Sequence, residues 1–314
     1  MRNIAAMYVW LALIIVFAAW KPSLFLTAVT AKRILNEYAI TGIAALSIVL
    51  PLSAGVFDLS IGSTIGLSGV MAGWLLGHTG LAPAVVIVAA LGSGLLVGVV
   101  NSIVVVWMRI DSFIGTLATG SIIAAVTLGV SGDQILTQRT SGSFASFAIR
   151  NWNGIQLPVA YLLVLMLVIG FVLEQTVFGR LTYASGYNPD VTTLVGVSVG
   201  RIRTITLLSS GLAAALAGVA LTARIESADP SNGPSYLIPA FSAAFLGATQ
   251  FRRGRFNPWG TVVAVLMLGT GSIGLLLAGS PQWAPQVFQG VVLVVAVGLT
   301  VPQRRRRRQA ARPA

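Results

Sequence analysis

Few side chains in this sequence could carry out bond-making chemistry. The chain has no cysteine and a single histidine, His78, so a thiolate nucleophile and a His-pair metal site are excluded and a histidine-based triad is disfavoured. No G-x-x-x-x-G-K-[ST] sequence occurs, and the only lysines are Lys21 and Lys32, so the chain lacks the loop that holds ATP phosphates. The sequence therefore predicts a protein that is not an enzyme and binds no metal or cofactor itself.

A second group of side chains could form weak hydrogen bonds to a polar solute. Asn101, Thr116 and Thr119 lie within apolar stretches, and the two threonines, three residues apart, project from one side of a helix. We predict that these three residues, together with Phe113, line a solute route. The alternative is hydrogen bonding between helices, which is the more common use of such residues in membranes.

The acidic side chains fall at the ends of apolar stretches or between them. Ion-coupled transporters usually hold a charged partner for the cation at mid-membrane, and no carboxylate has a clear position there. A secondary transporter is therefore disfavoured, although it is not excluded. We interpret Asp58, with Ser60 nearby, as the N-cap of a membrane span.

The long polar segment at residues 175–203 contains a short helix with explicit ends. Asn188 suits the N-cap, Pro189 the first helical position, and Asp190 the positive end of the helix dipole. Gly196 suits the C-terminal stop. The pattern predicts a helix of about two turns, which is marginal alone in water.

This short helix has one apolar face. Val191, Leu194 and Val195 are spaced i, i+3 and i+4, which places them on the same side. A helix-in-groove contact with a partner would bury that face. The alternative is a connecting loop that packs on its own protein.

The elements that must position these residues are membrane helices. Hydrophobic residues make up 56% of the chain and charged residues 9%, and the mean hydropathy is +0.88. About 20 apolar residues are needed for one crossing. We predict an all-α integral membrane protein with ten spans, at about 4–20, 34–53, 60–77, 82–107, 113–131, 157–174, 204–223, 236–251, 260–278 and 284–301. The eighth is short and glycine-rich, so it is a candidate for a broken or re-entrant helix.

The distribution of positive charge predicts the orientation. Of the 20 lysines and arginines, 14 lie on one side of the predicted spans and 6 on the other, which places both termini in the cytoplasm. We divide the chain into a transmembrane domain at 1–303 and a basic cytoplasmic tail at 304–314, which contains Arg304–Arg308 and is expected to contact anionic lipid. The net charge of +12 is explained by this topology, so nucleic-acid binding is not expected. The first apolar stretch lacks a cleavage pattern and is expected to remain as a helix.

Four blocks of sequence resemble the ribose-type sugar permeases, the branched-chain/ribose superfamily of bacterial ABC importers. GVFDLSIGS (55–63) is similar to the family's G-G-I-D-L-S-V-G-S. GVVNSIVVVWMRIDSFIGTLAT (98–119) resembles a second family pattern, G-x-x-N-G-x-x-V-x-x-x-x-I-P-P-F-I-x-T-L-G-T, and matches it at Asn101, Phe113, Ile114, Thr116, Leu117 and Thr119. TVFGRLTYASGYNPDVTTLVG (176–196) resembles the cytosolic loop FGR-x-x-x-A-x-G-G-N, including Gly186 and Asn188. SGLAAALAGVALTARIESADPSNGPSY (210–236) resembles SGLLAALAGILLTAR.

The resemblance implies a function that the residues alone do not define. It implies a permease of the bacterial cytoplasmic (inner) membrane that pairs with a second copy or a homologous permease and receives a small sugar from an external solute-binding protein. It also implies a separate ABC ATPase subunit that holds the ATP and contacts Gly186, Asn188, Pro189, Asp190, Val191, Leu194 and Gly196. A pentose, hexose, polyol, autoinducer furanose or nucleoside all remain open as the solute. The alternative is an ATP-independent transporter or channel.

Overall fold

Helices account for most of the described chain. The computed structural model describes residues 5–137, 142–251 and 254–310, and for residues 5, 6 and 299–310 only the course of the backbone. The helices are α1 (Ala5–Trp20), α2 (Pro22–Phe25), α3 (Ala28–Ser47), α4 (Val49–Ser53), α5 (Ile61–His78), α6 (Pro83–Ser102), α7 (Ser112–Ser131), α8 (Gly142–Ile149), α9 (Leu157–Gln175), α10 (Val177–Tyr187), α11 (Pro189–Leu194), α12 (Val199–Ile225), α13 (Leu237–Ala248), α14 (Pro258–Leu277) and α15 (Ala284–Ala310). A π-helical turn, Ile103–Trp107, extends α6, and a 3-10 turn, Gly233–Tyr236, precedes α13.

Within the described ranges, six helical segments are long and apolar enough to cross a membrane. They are Ala28–Ser53, Pro83–Trp107, Ser112–Ser131, Leu157–Gln175, Val199–Ile225 and Pro258–Leu277. Helices also occupy the other four predicted span positions, namely α1, α5, α13 and α15. A helical membrane architecture follows, while ten crossings and the cytoplasmic placement of both termini stay predictions.

The second and eighth predicted spans differ from regular helices. The second begins earlier than expected, at Ala28, and is interrupted at Ile48. Pro51 has no N–H to donate to the carbonyl of Ser47, the residue at which α3 ends, which explains the break. In the eighth, α13 has only 12 residues. Its length of about 18 Å is well short of a hydrocarbon core about 30 Å thick.

The helices approach one another closely where they carry small residues. Gly94 of α6 and Gly211 of α12 pack backbone to backbone, and a Cβ atom on either glycine would overlap the carbonyl group of the other. Gly247 and Gly260 bring α13 and α14 together in the same way. Such contacts hold membrane helices together, since apolar side chains gain little by leaving lipid.

Among the described residues, two short antiparallel strand pairs lie between the helices. β1 (Leu136–Thr137) pairs with β4 (Ser227–Ala228), and β2 (Asn151–Trp152) pairs with β3 (Ile155–Gln156). The Asn36 side chain attaches the second pair to α3, because its Nδ2 donates to the Gly154 carbonyl at 2.9 Å and its Oδ1 accepts from the Gln156 N–H at 2.9 Å.

The predicted basic tail begins within a helix. The backbone of α15 continues through Ala310, so residues 304–310 extend that helix. The last four residues of the tail lie outside the described residues, as do Arg2, Arg139, Arg252 and Arg253, which entered the charge distribution.

Candidate functional site

The short helix predicted between residues 188 and 196 is α11. Asn188 caps it, since its Oδ1 accepts a hydrogen bond from the Val191 N–H at 3.2 Å, and Pro189 and Asp190 form its first turn. Gly196 follows with a φ of +83°, a left-handed conformation that glycine adopts without steric cost. Both predicted ends of the helix are therefore confirmed.

The apolar face of α11 points away from the protein. Val191, Leu194 and Val195 are 53%, 85% and 72% exposed, whereas Thr192, which faces the protein, is 5% exposed. Full burial of one such aliphatic side chain contributes about 1.5–3 kcal/mol. A partner that covered all three would gain an appreciable part of its binding energy from this small surface.

α10 connects this surface to the membrane helices. Near its end, Gly186 packs against the turn after α4, and a Cβ atom there would overlap the Ser53 carbonyl and crowd Gly55. Only glycine permits that approach. The turn continues directly into Asp58, so Gly186 lies against the segment that precedes this residue.

Asp58 lies at the centre of a polar cluster formed by Asp58, Ser60, Asn101, Thr119 and Ser210. Its Oδ1 accepts hydrogen bonds from Ser60 Oγ at 2.6 Å, Ser60 N at 3.1 Å and Asn101 Nδ2 at 3.3 Å, and its Oδ2 accepts one from Ser210 Oγ at 2.7 Å. Asn101 Nδ2 also donates to Ser60 Oγ at 2.7 Å, and Thr119 Oγ1 donates to Asn101 Oδ1 at 2.5 Å. The polar cluster thus ties α5, α6, α7 and α12 together.

The interpretation of Asp58 as a helix N-cap is wrong. α5 follows Ser60, which has helical backbone angles and makes no side-chain capping bond. Asp58 is 1% exposed and its carboxyl group is engaged by α6 and α12 instead. Sequence reasoning missed Ser210 because it stands in a run of small residues 152 positions away, where no local pattern distinguishes it.

The structure separates the four residues predicted to line a solute route. Asn101, Thr116 and Thr119 are 0%, 0% and 5% exposed, and Thr116 Oγ1 accepts from the Leu59 N–H at 2.9 Å. In this conformation Asn101 and Thr119 join α6 to α7, and Thr116 joins α7 to the turn before α5. Phe113 is 49% exposed and lies edge-on to Phe57, with ring centroids 6.2 Å apart.

No metal site is apparent in the described part of the chain. Among residues 5–137, 142–251 and 254–310 there is no group of three or more histidine, aspartate or glutamate side chains that could hold an ion. The polar cluster contains a single carboxyl group, so it has the composition of a helix-crossing network and not that of a cation site.

Comparison with known proteins finds similarity to transport permeases over most of the chain. Residues 30–297 match the model of the family described as branched-chain amino acid transport system / permease component. A ribose import permease of Bacillus subtilis (strain 168) is 32% identical over 286 residues, covering 91% of this chain and 88% of the relative. A fructose import permease of Rhizobium meliloti is 33% identical over 285 residues, covering 88% and 78%. An L-arabinose transport system permease of Escherichia coli (strain K12) is 30% identical over 297 residues, covering 92% and 87%.

Proposed function

We propose that this chain, which belongs to the branched-chain amino acid transport system / permease component family, is the membrane-spanning permease subunit of an ATP-driven importer for a small sugar or sugar-like solute. The observation that carries the proposal is the similarity to three sugar permeases over about nine-tenths of the chain. Their solutes are ribose, fructose and L-arabinose, so a pentose or a hexose has the strongest support. The protein resides in the bacterial inner membrane as a multi-pass protein.

The apolar face of α11 is the contact for a separate ABC ATPase subunit. Asn188, Pro189 and Asp190 define the start of that helix and Gly196 its end, while Val191 and Leu194 enter a groove of the ATPase. Gly186 transmits the movement of the ATPase to the turn after α4, since its backbone touches Ser53. A second permease copy or a homologue, an external solute-binding protein and surrounding lipid complete the assembly.

The four residues predicted for the solute route remain part of the proposal. Phe113 presents a half-exposed ring at the start of α7, whereas Asn101, Thr116 and Thr119 are buried. Alternating access moves whole helices against each other, which would change the exposure of these groups during the cycle.

We expect the purified chain to hydrolyse no ATP on its own. No phosphate-binding loop occurs in the sequence, so hydrolysis resides in the partner subunit, with ATP bound there. Release of phosphate from ATP, measured on the permease with and without its ATPase, checks this. Hydrolysis by the permease alone, after contaminating ATPases have been removed, would contradict the proposed division of labour.

Solute uptake should depend on ATP and not on an ion gradient. In vesicles loaded with ATP, an uncoupler should leave radiolabelled sugar uptake within about twofold of its untreated value, because no ion-coupling step is required. Depletion of internal ATP at constant membrane potential should stop uptake. The reverse pattern, uptake lost with the uncoupler while ATP stays high, would instead favour a secondary transporter.

A further inference from the structure

The chain between α12 and α13 enters the helix bundle without forming a long helix. It runs beside α5, with Ala228 against Gly73, the Pro230 carbonyl against Gly66 and Pro234 against Gly62. Gly73 and Gly62 are 11 residues apart on α5, which corresponds to about 16 Å along the helix axis. The segment therefore runs along α5 over a distance equal to about half of the thickness of a hydrocarbon core, which is its depth in the membrane where α5 crosses as predicted.

Residues 229–236, which we term the inner segment, are polar and partly open. Ser231, Pro234 and Ser235 are exposed, and Asp229, Asn232 and Tyr236 are half-buried. Lipid-exposed irregular backbone does not occur in the hydrocarbon region, and it is tolerated at that depth only inside protein or beside a water-filled cavity. Since part of the inner segment is not covered by protein, water is the solvent that suits it.

Hydrogen bonds within the inner segment leave groups available for a ligand. Asp229 Oδ1 accepts from Ser231 N at 2.8 Å and from Ser231 Oγ at 2.6 Å, while Asp229 Oδ2 accepts none from the described residues. Ser235 Oγ donates to the Asn232 carbonyl at 2.6 Å and keeps its lone pairs. Carboxylate, hydroxyl and amide groups of this kind pair with the hydroxyl groups of a sugar, and the Tyr236 ring offers an apolar surface beside them.

We propose that the inner segment lines the aqueous route of the transported solute, with Asp229, Ser231, Asn232 and Ser235 as hydrogen-bonding partners for its hydroxyl groups. The nature of the solute rests on the proposed function, whereas the contact of the segment with water does not. The polar side chains of the cluster around Asp58 are hydrogen-bonded to one another. The inner segment, in contrast, presents polar groups with remaining hydrogen-bonding capacity to open space at membrane depth.

The absence of cysteine from the sequence permits a direct test with the variants Ser231→Cys and Ser235→Cys. Two other exposed serines, each changed to cysteine, provide the reference labelling rates. Ser146, exposed on α8 outside the candidate spans, gives the rate for a water-exposed thiol, and Ser121, exposed in the middle of α7, gives the rate for a membrane-facing one. A charged, membrane-impermeant methanethiosulfonate should label both inner-segment thiols within about tenfold of the Ser146→Cys rate, since only a hydrated thiol ionises readily. Labelling as slow as that of Ser121→Cys would overturn the proposal, because the segment would then face lipid or a second copy.

Transport by the same variants tests whether the water-filled space is the solute route. In the assembled transporter, complete labelling of Ser231→Cys or Ser235→Cys with the charged reagent should lower sugar uptake at least tenfold, and labelling of Ser146→Cys should not. Methyl methanethiosulfonate, which adds only a small neutral group, should leave more than half of the uptake, which rules out unfolding as the cause. Undiminished uptake by the fully labelled variants would overturn the route. Failure of the unmodified transporter to import any sugar would instead count against the proposed function, and the labelling rates would still be measurable.

Discussion

Leu194→Asp is expected to weaken ATPase binding and to abolish solute uptake while leaving the protein folded in the membrane. Leu194 is 85% exposed, so an aspartate there meets water and displaces no packed neighbour. In the assembled transporter the same carboxylate would be pushed into an apolar groove, which forfeits burial of the leucine and adds a desolvation cost. A loss of about 2 kcal/mol or more corresponds to about 30-fold weaker binding. Co-purification of the ATPase and ATP-driven uptake in vesicles measure the two effects.

Thr193→Asp is the matched control for this variant. Thr193 is also exposed and lies next to Leu194 in the chain, but helical geometry places it on the opposite side from Val191 and Val195. The Thr193→Asp substitution introduces the same charge into the same helix but away from the apolar face, so ATPase binding and uptake should persist. If Leu194→Asp transports at the normal rate with its ATPase bound, or if both variants fail equally, α11 does not act through its apolar face.

Much of the fold could be predicted from sequence because hydrophobicity and capping are local signals. Long apolar stretches located the helices, and Asn188 and Gly196 correctly marked the ends of α11. The break at Ile48 was not predicted, although Pro51 contained the signal for it. The early start at Ala28 was missed because Lys32 and Arg33 fall within the first turns of α3, where charge suggests a loop.

The functional groups were harder to predict because their partners are far apart in sequence. Asp58 reads locally as a cap residue, and its real partners Asn101 and Ser210 are 43 and 152 positions away. The polarity of the Asp229–Tyr236 stretch was visible, but its depth in the bundle was not. That depth follows from the pairing of Gly62 and Gly66 with the inner segment, a tertiary contact for which helical periodicity gives no sign.

Asp58→Ala should reduce stability more than any other single change in the polar cluster. The carboxyl group accepts from Ser60, Asn101 and Ser210 at a site that is 1% exposed, and alanine would leave those three side chains without this acceptor. Each buried polar group left unsatisfied costs about 1–3 kcal/mol, although Asn101 and Ser60 keep their bond to each other. We expect a net loss of about 2–4 kcal/mol. Thermal unfolding and the monodisperse fraction of detergent-solubilised protein would report it.

Asp58→Asn separates the loss of the acceptor from the loss of the acid. The amide has nearly the same shape, its Oδ1 still accepts from Ser60 and Asn101, and its Nδ2 can donate to Ser210 Oγ once that hydroxyl rotates. Most of the stability should therefore return, and uptake should return with it if Asp58 serves only to join the helices. If Asp58→Asn is stable but does not transport, then the carboxylate itself acts in the cycle. An Asp58→Ala protein as stable as the unmodified chain would show that the four helices are held together without the polar cluster.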